Sequence, residues 1–380
     1  MLPSQRHLFD IPRDVAYFNN GSYTPLPRSV REAGEAGVAV KSMPWLMDHD
    51  AIAQRVEAVR TAAAGFIGAS PDDMAIIHSA AYGVATAAAN LDITADTRIL
   101  LIEGEFPSQS LEWARRAELT GAMIDLVPRP DDGDWTAALL QRIEQPGLPP
   151  VGIAALTPLV WTDGTLIDIE RLAPALRQQG AAIIIDATQA AGVLSLDVTR
   201  LGADYLVFPT YKWLLGPYTL AFMYVAPARQ NGTPLEQYGT NRIDGGDPFA
   251  GHLGASIPTA RRFDMGQRNN PVSLPMGLAG MELLHQWGTG PLGERLRATT
   301  DGMAEHAEIR GFRAIPRPLR APHILGLRTP PGLEASVVVP ALAARGVHVA
   351  ERGGNIRIGA HAYNDDEDVA RFADAIASFA

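Results

Sequence analysis

Along this chain, short apolar runs alternate with longer stretches whose apolar residues recur every three to four positions. Residues 75–78, 98–102, 123–127, 151–156, 183–185 and 205–208 are mainly apolar stretches that read as strands, and those at 183–185 and 205–208 read as strands buried on both faces. Between them lie helical patterns at 84–91, 108–119 and 135–143, the last with Asp134 as N-cap. A further helix follows Asp168, and Pro174 inside its pattern is expected to disturb it. Upstream, 28–40 and 52–67 are helix candidates, and Tyr17-Phe18 is a short strand running into the turn-rich Asn19-Asn20-Gly21-Ser22-Tyr23-Thr24-Pro25. Residues 220–225 read as a hairpin strand that closes the series. Strand and helix alternate from about residue 75 to 225, which predicts a mainly parallel sheet covered on both faces.

Beyond that point the pattern changes. Residues 229–258 are rich in Gly, Asp and Pro, including Asp244-Gly-Gly-Asp247, and read as a long loop; loops of this length are usually functional or interfacial. Residues 275–287 form an amphipathic helix, and from about 292 helices alternate with short strands at 324–327, 347–349 and 356–359. The expected division is a large α/β domain over 16–255 and a smaller α+β domain made of 256–380 with the arm 1–15. Gly288-Thr-Gly290-Pro-Leu-Gly293 is formally G-x-G-x-x-G, but a helix precedes it and Pro291 interrupts it, so a dinucleotide site is not expected there.

Composition narrows the function. The chain has 380 residues, 47% of them apolar and 19% charged, which suits a globular enzyme with a large core. A net charge of −10 argues against nucleic acid as a partner. No apolar run reaches the roughly 18 residues of a membrane span, and the N-terminus lacks the apolar centre of a signal peptide, so a cytoplasmic location is expected. Cysteine is absent, which excludes disulfides, thiolate metal sites and a cysteine nucleophile. The histidines are scattered without metal-ligand spacing, and no metal is expected.

The candidate chemistry sits at two strand ends. Asp186 closes the run of Ile183, Ile184 and Ile185, and Lys212 follows the run from Tyr205 to Phe208. Ligands bind at the carboxyl ends of strands in open α/β sheets, so these two side chains are expected to face one crevice. A lysine there can form a Schiff base with the aldehyde of pyridoxal phosphate. A carboxylate can hold the pyridine nitrogen protonated. The residues alone also allow an ordinary ion pair at a sheet edge. The neighbouring motifs, Asp186-Ala-Thr-Gln189 and Tyr211-Lys212-Trp213-Leu-Leu-Gly216-Pro217, resemble the signature of the class V aminotransferase family of fold-type I pyridoxal phosphate enzymes. Cysteine desulfurases, kynureninases, isopenicillin N epimerase-like proteins and several transaminases belong to it.

The resemblance implies roles for further residues. Lys212 carries the Schiff base, Asp186 holds the ring, and Gln189 donates to the cofactor's phenolic oxygen. The turn His78-Ser79-Ala80-Ala81 leading into a helix matches the family's phosphate site. Free amides at a helix N-terminus suit an anion. Ala80 and Ala81 stand where the family often has threonine, so backbone amides and Ser79 are left to serve. Phe106 matches a position whose aromatic or histidine side chain lies on the ring; its alternative is a core residue. Tyr211 matches a phosphate contact, or is a structural hydroxyl. Gln267, in Arg261-Arg-Phe-Asp264-Met-Gly266-Gln267, belongs to a segment that reaches the neighbouring subunit's phosphate, which implies a homodimer with shared sites. On the substrate side, Arg357 matches the fork on the α-carboxylate, a geometry that suits a guanidinium. Asn20 lies in the turn beside it, although Asn20-Gly21 also reads as a plain turn. Trp161, in the loop after 151–156, is placed to line the pocket.

The expected substrate is a small α-amino acid, with Lys212 carrying a proton at Cα. Transamination, cleavage at Cβ by a lyase or hydrolase of the kynureninase or C–S lyase kind, and epimerisation compete, and a regulatory protein that only binds pyridoxal phosphate is the non-enzymatic alternative. The residues lean slightly to transamination. Phe106 replaces the histidine that helps a sulfur leaving group depart in desulfurases, and no cysteine exists to hold a persulfide. Tyr211, a phenol next to the lysine, leans the other way.

Overall fold

The computed structural model describes residues 1–243 and 251–379, so Asp244-Gly-Gly-Asp247 lies outside the described residues. After a short strand β1 (Ala16–Tyr17), helices α1 (Arg28–Ser42) and α2 (His49–Gly65) lead into an alternating series. It runs β2 (Met74–Ile77), α3 (Ala80–Ala89), β3 (Arg98–Ile102), α4 (Pro107–Thr120), β4 (Met123–Val127), α5 (Trp135–Ile143) and β5 (Val151–Leu156). It continues through α6 (Ile169–Gln178), β6 (Ala182–Asp186), α7 (Val198–Leu201), β7 (Tyr205–Pro209) and β8 (Ala221–Val225). These strands form one seven-stranded sheet in the order β2-β8-β7-β6-β5-β3-β4. Only β8 runs against its neighbours, as the hairpin partner of β7.

Apart from the edge strand β4, whose Ile124 and Leu126 are exposed, the strands are largely apolar because both faces are covered. Ile183 and Ile185 of β6 join a cluster with Val59 of α2, Leu139 of α5 and Leu172 of α6. Ala182 and Ile184 point the other way, to Val84 and Ala87 of α3 and Trp113 of α4. The period of two therefore assigns each strand residue to a helical layer. Helix starts follow polar caps: the side chains of Asp48, Asp134 and Asp168 each accept an amide in the first turn of the helix they begin. Helix α3 starts at Ala80, earlier than the apolar pattern alone indicates, because the Ser79 hydroxyl accepts from the Tyr82 amide at 3.1 Å. Pro174 does not break α6; what it removes is the single bond to the Glu170 carbonyl in the first turn.

The rest of the chain forms a second layer. Helices α8 (Ser273–Trp287) and α9 (Thr289–Glu308) meet at Gly288, whose φ of 70° turns the corner. The glycine-rich motif is thus a helix–helix junction. Strands β9 (Arg313–Ala314), β10 (Ile324–Arg328), β12 (Ala350–Arg352) and β13 (Asn355–Gly359) form an antiparallel sheet in the order β12-β13-β10-β9. Strand β11 (Val347–His348) pairs in parallel with β1, and helices α10 (Ala335–Ala343) and α11 (Asp366–Ile376) complete this part. The N-terminal arm is tied to it by the buried Arg6–Asp368 pair, at 2.7 Å. Within the long loop, the described residues hold a 3-10 turn at Gly239–Asn241 and a bridge between Arg242 and Ser256. No helix of the described residues is long and apolar enough to cross a membrane.

One buried ion pair fixes the start of the sheet. Arg60 of α2 forks onto Asp264 with two bonds of 2.8 Å, and the same carboxylate accepts the Ile76 amide of β2 at 2.8 Å. Neither side chain is exposed to solvent. Removing one partner leaves a buried charge unpaired, so Asp264→Ala should lower the unfolding free energy by about 3–5 kcal/mol in a urea titration. A loss below about 1 kcal/mol, the range of a surface pair, would show that this pair does not hold β2 in place.

Candidate active site

Strands β3 and β5 are neighbours, but the chain leaves β3 toward β4 and leaves β5 toward β6 and β7. Their connecting loops diverge at the carboxyl ends, which opens a crevice at a topological switch point. A cavity of about 280 Å³ lies there. It is lined by residues following β2, β3, β5, β6 and β7, so five strand ends contribute to one site.

Asp186 is the last residue of β6 and pairs in register with Val207 of β7. Lys212 follows β7 after a short turn. Both face the cavity and both are 6% exposed. Burial pushes the Lys212 amine down to about 8; Asp186 opposes this, while Arg357 and Arg352 add to it. Burial likewise pushes the Asp186 carboxyl up, against the contacts from Thr188 and the charge of Lys212. One Asp186 oxygen accepts the Thr188 amide at 2.9 Å. Lys41 is the chain's other lysine and is exposed, so Lys212 is the one lysine amine at the site.

The walls are aromatic. The Lys212 Nζ lies 5.6 Å from the centre of the Phe106 ring and 5.4 Å from that of Tyr211. Phe106 is 40% exposed, so its ring belongs to the cavity wall and not to the core. It meets Trp161 edge-on at 5.3 Å, and the Trp161 indole donates to the Gly104 carbonyl at 2.8 Å. Tyr211 stacks on Tyr218 at 4.4 Å.

At one end of the cavity is the start of α3. Ser79, Ala80 and Ala81 line it, and the first-turn amides of a helix have no partner within the helix. Gly83 makes this possible. A Cβ there would lie 2.4 Å from a methyl of Val207, so only glycine lets α3 lie against β7. Gln189 also lines the cavity, with its amide held in place. Its oxygen accepts from the Trp213 indole at 2.7 Å and its nitrogen donates to the Gly21 carbonyl at 3.1 Å, which leaves one N–H free.

The expected substrate residues separate. Arg357, on β13, is 2% exposed. It donates to the Trp161 carbonyl at 3.0 Å and to the Ser22 hydroxyl at 2.6 Å, with its guanidinium 5.7 Å from the Trp161 ring. Burial, then the charge of Arg352, pushes its pKa down to about 9. Lys212, Phe106, Trp161 and Arg357 thus form a continuous line of contacts. Asn20 departs from expectation. Its amide donates to the Gly359 carbonyl at 2.6 Å and accepts from the Tyr363 hydroxyl at 2.7 Å; like Arg357 it is not among the lining residues, but unlike Arg357 it has no hydrogen bond with the wall residue Trp161. The turn residue that reaches Arg357 is Ser22. Gln267 also lies away from this cavity, exposed and with a left-handed φ of 56°.

Glu105 is a cavity residue that the sequence reading passed over. It accepts the Phe106 amide at 2.6 Å through one oxygen, while the other is shut off from solvent without a hydrogen-bond partner. Burial pushes its carboxyl up to about 8, and the charge of Asp186 adds to this against the Phe106 amide. It is therefore a carboxylic acid held mostly neutral near pH 7. A lone glutamate between Gly104 and Phe106 gives no periodic signal; a polar residue directly after a buried strand is the only hint available. No group of three or more His, Cys, Asp or Glu among the described residues is placed to hold a metal ion.

These residues fit pyridoxal phosphate. An anion cradle, a carboxylate pushed up by burial, a lysine pushed down by burial and the Thr188 side chain meet in one cavity. Known proteins resemble the chain over most of its length. Isopenicillin N epimerase of Streptomyces clavuligerus is 26% identical over 386 residues, covering 95% of this chain and 94% of that protein. An uncharacterized aminotransferase of Bacillus subtilis is 25% identical over 327 residues, covering 86% and 84%. The structure of a cysteine desulfurase from Thermococcus onnurineus superposes with a TM-score of 0.84 at 19% identity, over 98% of this chain and 97% of that one. The sequence profile of the class-V aminotransferases matches residues 17–286, well over half of the chain. Taken with the strand-end lysine and aspartate, that match places the chain in the class V aminotransferase family, the fold-type I enzymes that depend on pyridoxal phosphate.

Proposed function

We propose that the chain is an aminotransferase for a small α-amino acid, in which Lys212 moves the proton at the substrate's Cα. The observation that carries this reading is the buried Lys212 amine, with a pKa pushed down to about 8 and facing the same cavity as Asp186. A base works best when its pKa lies near the working pH. Pyridoxal phosphate, when bound, supplies a ring that accepts the electron pair left at Cα. In this reading the amides of Ala80 and Ala81 and the Ser79 hydroxyl hold its phosphate, and Asp186 holds its pyridine nitrogen. The free N–H of Gln189 meets its phenolic oxygen, and Phe106 and Tyr211 flank it. Arg357 takes the substrate carboxylate, oriented by Ser22 and the Trp161 carbonyl. Trp161, Phe106 and Tyr218 limit water at the reacting carbon. A homodimer belongs to the same proposal: Gln267, exposed in this chain, is then a contact to the other subunit's cofactor phosphate.

Glu105 supports a second reading, cleavage at Cβ. A neutral carboxylic acid on the cavity wall can protonate a leaving group, which is the function that phenylalanine at position 106 cannot supply. The two readings separate by stoichiometry. The pyridoxal phosphate-loaded protein is incubated with single amino acids, S-substituted cysteines and kynurenine, with no keto acid added. An aminotransferase releases about one keto acid per site and stops, then resumes when a keto acid acceptor is supplied. Repeated turnover with release of a Cβ fragment would replace the proposal by the lyase. Inversion at Cα would replace it by an epimerase, and no reaction across the panel by a regulatory protein.

The depressed lysine makes a second prediction. The reactive form is the neutral amine, and its fraction rises as pH passes through the folded-state pKa. Capture of added pyridoxal phosphate by the cofactor-free protein should therefore speed up with pH around a midpoint near 8. A midpoint near the ordinary lysine value of about 10.4 would mean that Lys212 is not buried as described.

A further inference from the structure

Arg357, which adjoins the cavity through the wall residue Trp161, is not the only cation there. Strands β12 and β13 pair in antiparallel register with Ala350 opposite Arg357. Arg352 is two residues along from Ala350, so it lies on the same face of the hairpin as Arg357, on the diagonal. The two guanidiniums converge on one atom. The Ser22 hydroxyl accepts from Arg357 at 2.6 Å and from Arg352 at 3.0 Å. The Ser22 turn is seated on Arg357 itself, because a Cβ on Gly21 would lie 3.0 Å from the guanidinium carbon.

Neither arginine has a carboxylate partner among the described residues. Apart from Ser22, Arg357 bonds only the Trp161 carbonyl, and Arg352 only the Glu351 carbonyl at 2.7 Å. Like charges that are neighbours on one sheet face are unfavourable, and a buried guanidinium without an anion is costly. Elsewhere in this chain buried arginines are paired: Arg6 with Asp368, Arg60 with Asp264, Arg98 with Asp125. The cavity end is the exception, and the charges of both arginines reach Lys212.

We propose that Arg352 and Arg357 form a double anion site and that the substrate is an α-amino acid whose side chain also ends in an anion. This rests on the reading of the cavity as an amino-acid site. One carboxylate can be forked by Arg357 alone, which keeps N–H groups free beyond its two bonds. The second guanidinium then faces the side chain, where a neutral residue would leave it unpaired. Such a site selects by charge, since an amide of the same shape forfeits a charge-assisted pair.

The test uses the pyridoxal phosphate-loaded protein. L-aspartate, L-glutamate, cysteine sulfinate, L-asparagine, L-glutamine and L-alanine are titrated while the cofactor absorption band is followed, and succinate and butyrate are titrated by calorimetry. At least one acidic amino acid should bind about tenfold or more tightly than its amide, and succinate more tightly than butyrate by a similar factor. Arg352→Gln should erase the preference, weakening the acidic amino acid far more than alanine, and Arg352→Lys should keep part of it. Equal binding of acid and amide by the native protein would overturn the proposal. So would an Arg352→Gln variant that loses alanine as much as aspartate, because Arg352 would then serve the α-carboxylate. If neutral amino acids react and acidic ones do not, the aminotransferase reading stands and this inference alone falls. If no amino acid perturbs the band, both fall together.

Discussion

Everything at this site depends on one constraint: a lysine and an aspartate are shut away from water at the ends of two adjacent parallel strands. β6 and β7 are held side by side by register, and their apolar residues leave no freedom to turn either strand over. A one-residue slip would move Asp186 to the opposite face. Burial then does the chemical tuning. It penalises the charged form of both groups, lowering the amine and raising the carboxyl, so each is poised for a partner that the protein alone does not provide.

The surroundings extend that logic. Helix α3 brings unbonded amides to one end, and it can lie against the sheet there because Gly83 has no side chain. The small antiparallel sheet brings two arginines beside the wall residue Trp161, and the turn after β1 meets them at Ser22. Between the poles the walls are aromatic, with Phe106, Trp161, Tyr211 and Tyr218 lining the cavity. A ligand that is anionic at both ends and flat in the middle matches this distribution. The chain's overall charge of −10 tells nothing of it, because net charge does not report where Lys212, Arg352 and Arg357 lie.

The sheet was legible in the sequence because its strands are buried on both faces and its helices carry apolar stripes, so periodicity separates the two. Asp186 and Lys212 were legible for the same reason: each follows an unmistakable buried strand. Asn20 misled. Its neighbours spell a turn near the substrate, but the partners of its amide, Gly359 and Tyr363, lie at the far end of the chain, and no local pattern announces them. Glu105 and Arg352 were invisible for a related reason. One is an acid in a strand-end loop and the other a charged residue at a hairpin, and both ordinarily face water. Only the tertiary packing of Phe106 on Trp161, and the meeting of Ser22 with the arginines of two adjacent strands, gives them their places at the site.

The chemistry of the site turns on whether Lys212 is the residue that holds the cofactor. Borohydride reduction of the pyridoxal phosphate-loaded protein, followed by peptide mapping, reads this directly. The chain offers two lysines for comparison, the buried Lys212 and the exposed Lys41. A stoichiometric label is expected on the peptide containing Lys212 and none on that containing Lys41. A label on Lys41, or no label in protein that has taken up the cofactor, would contradict it.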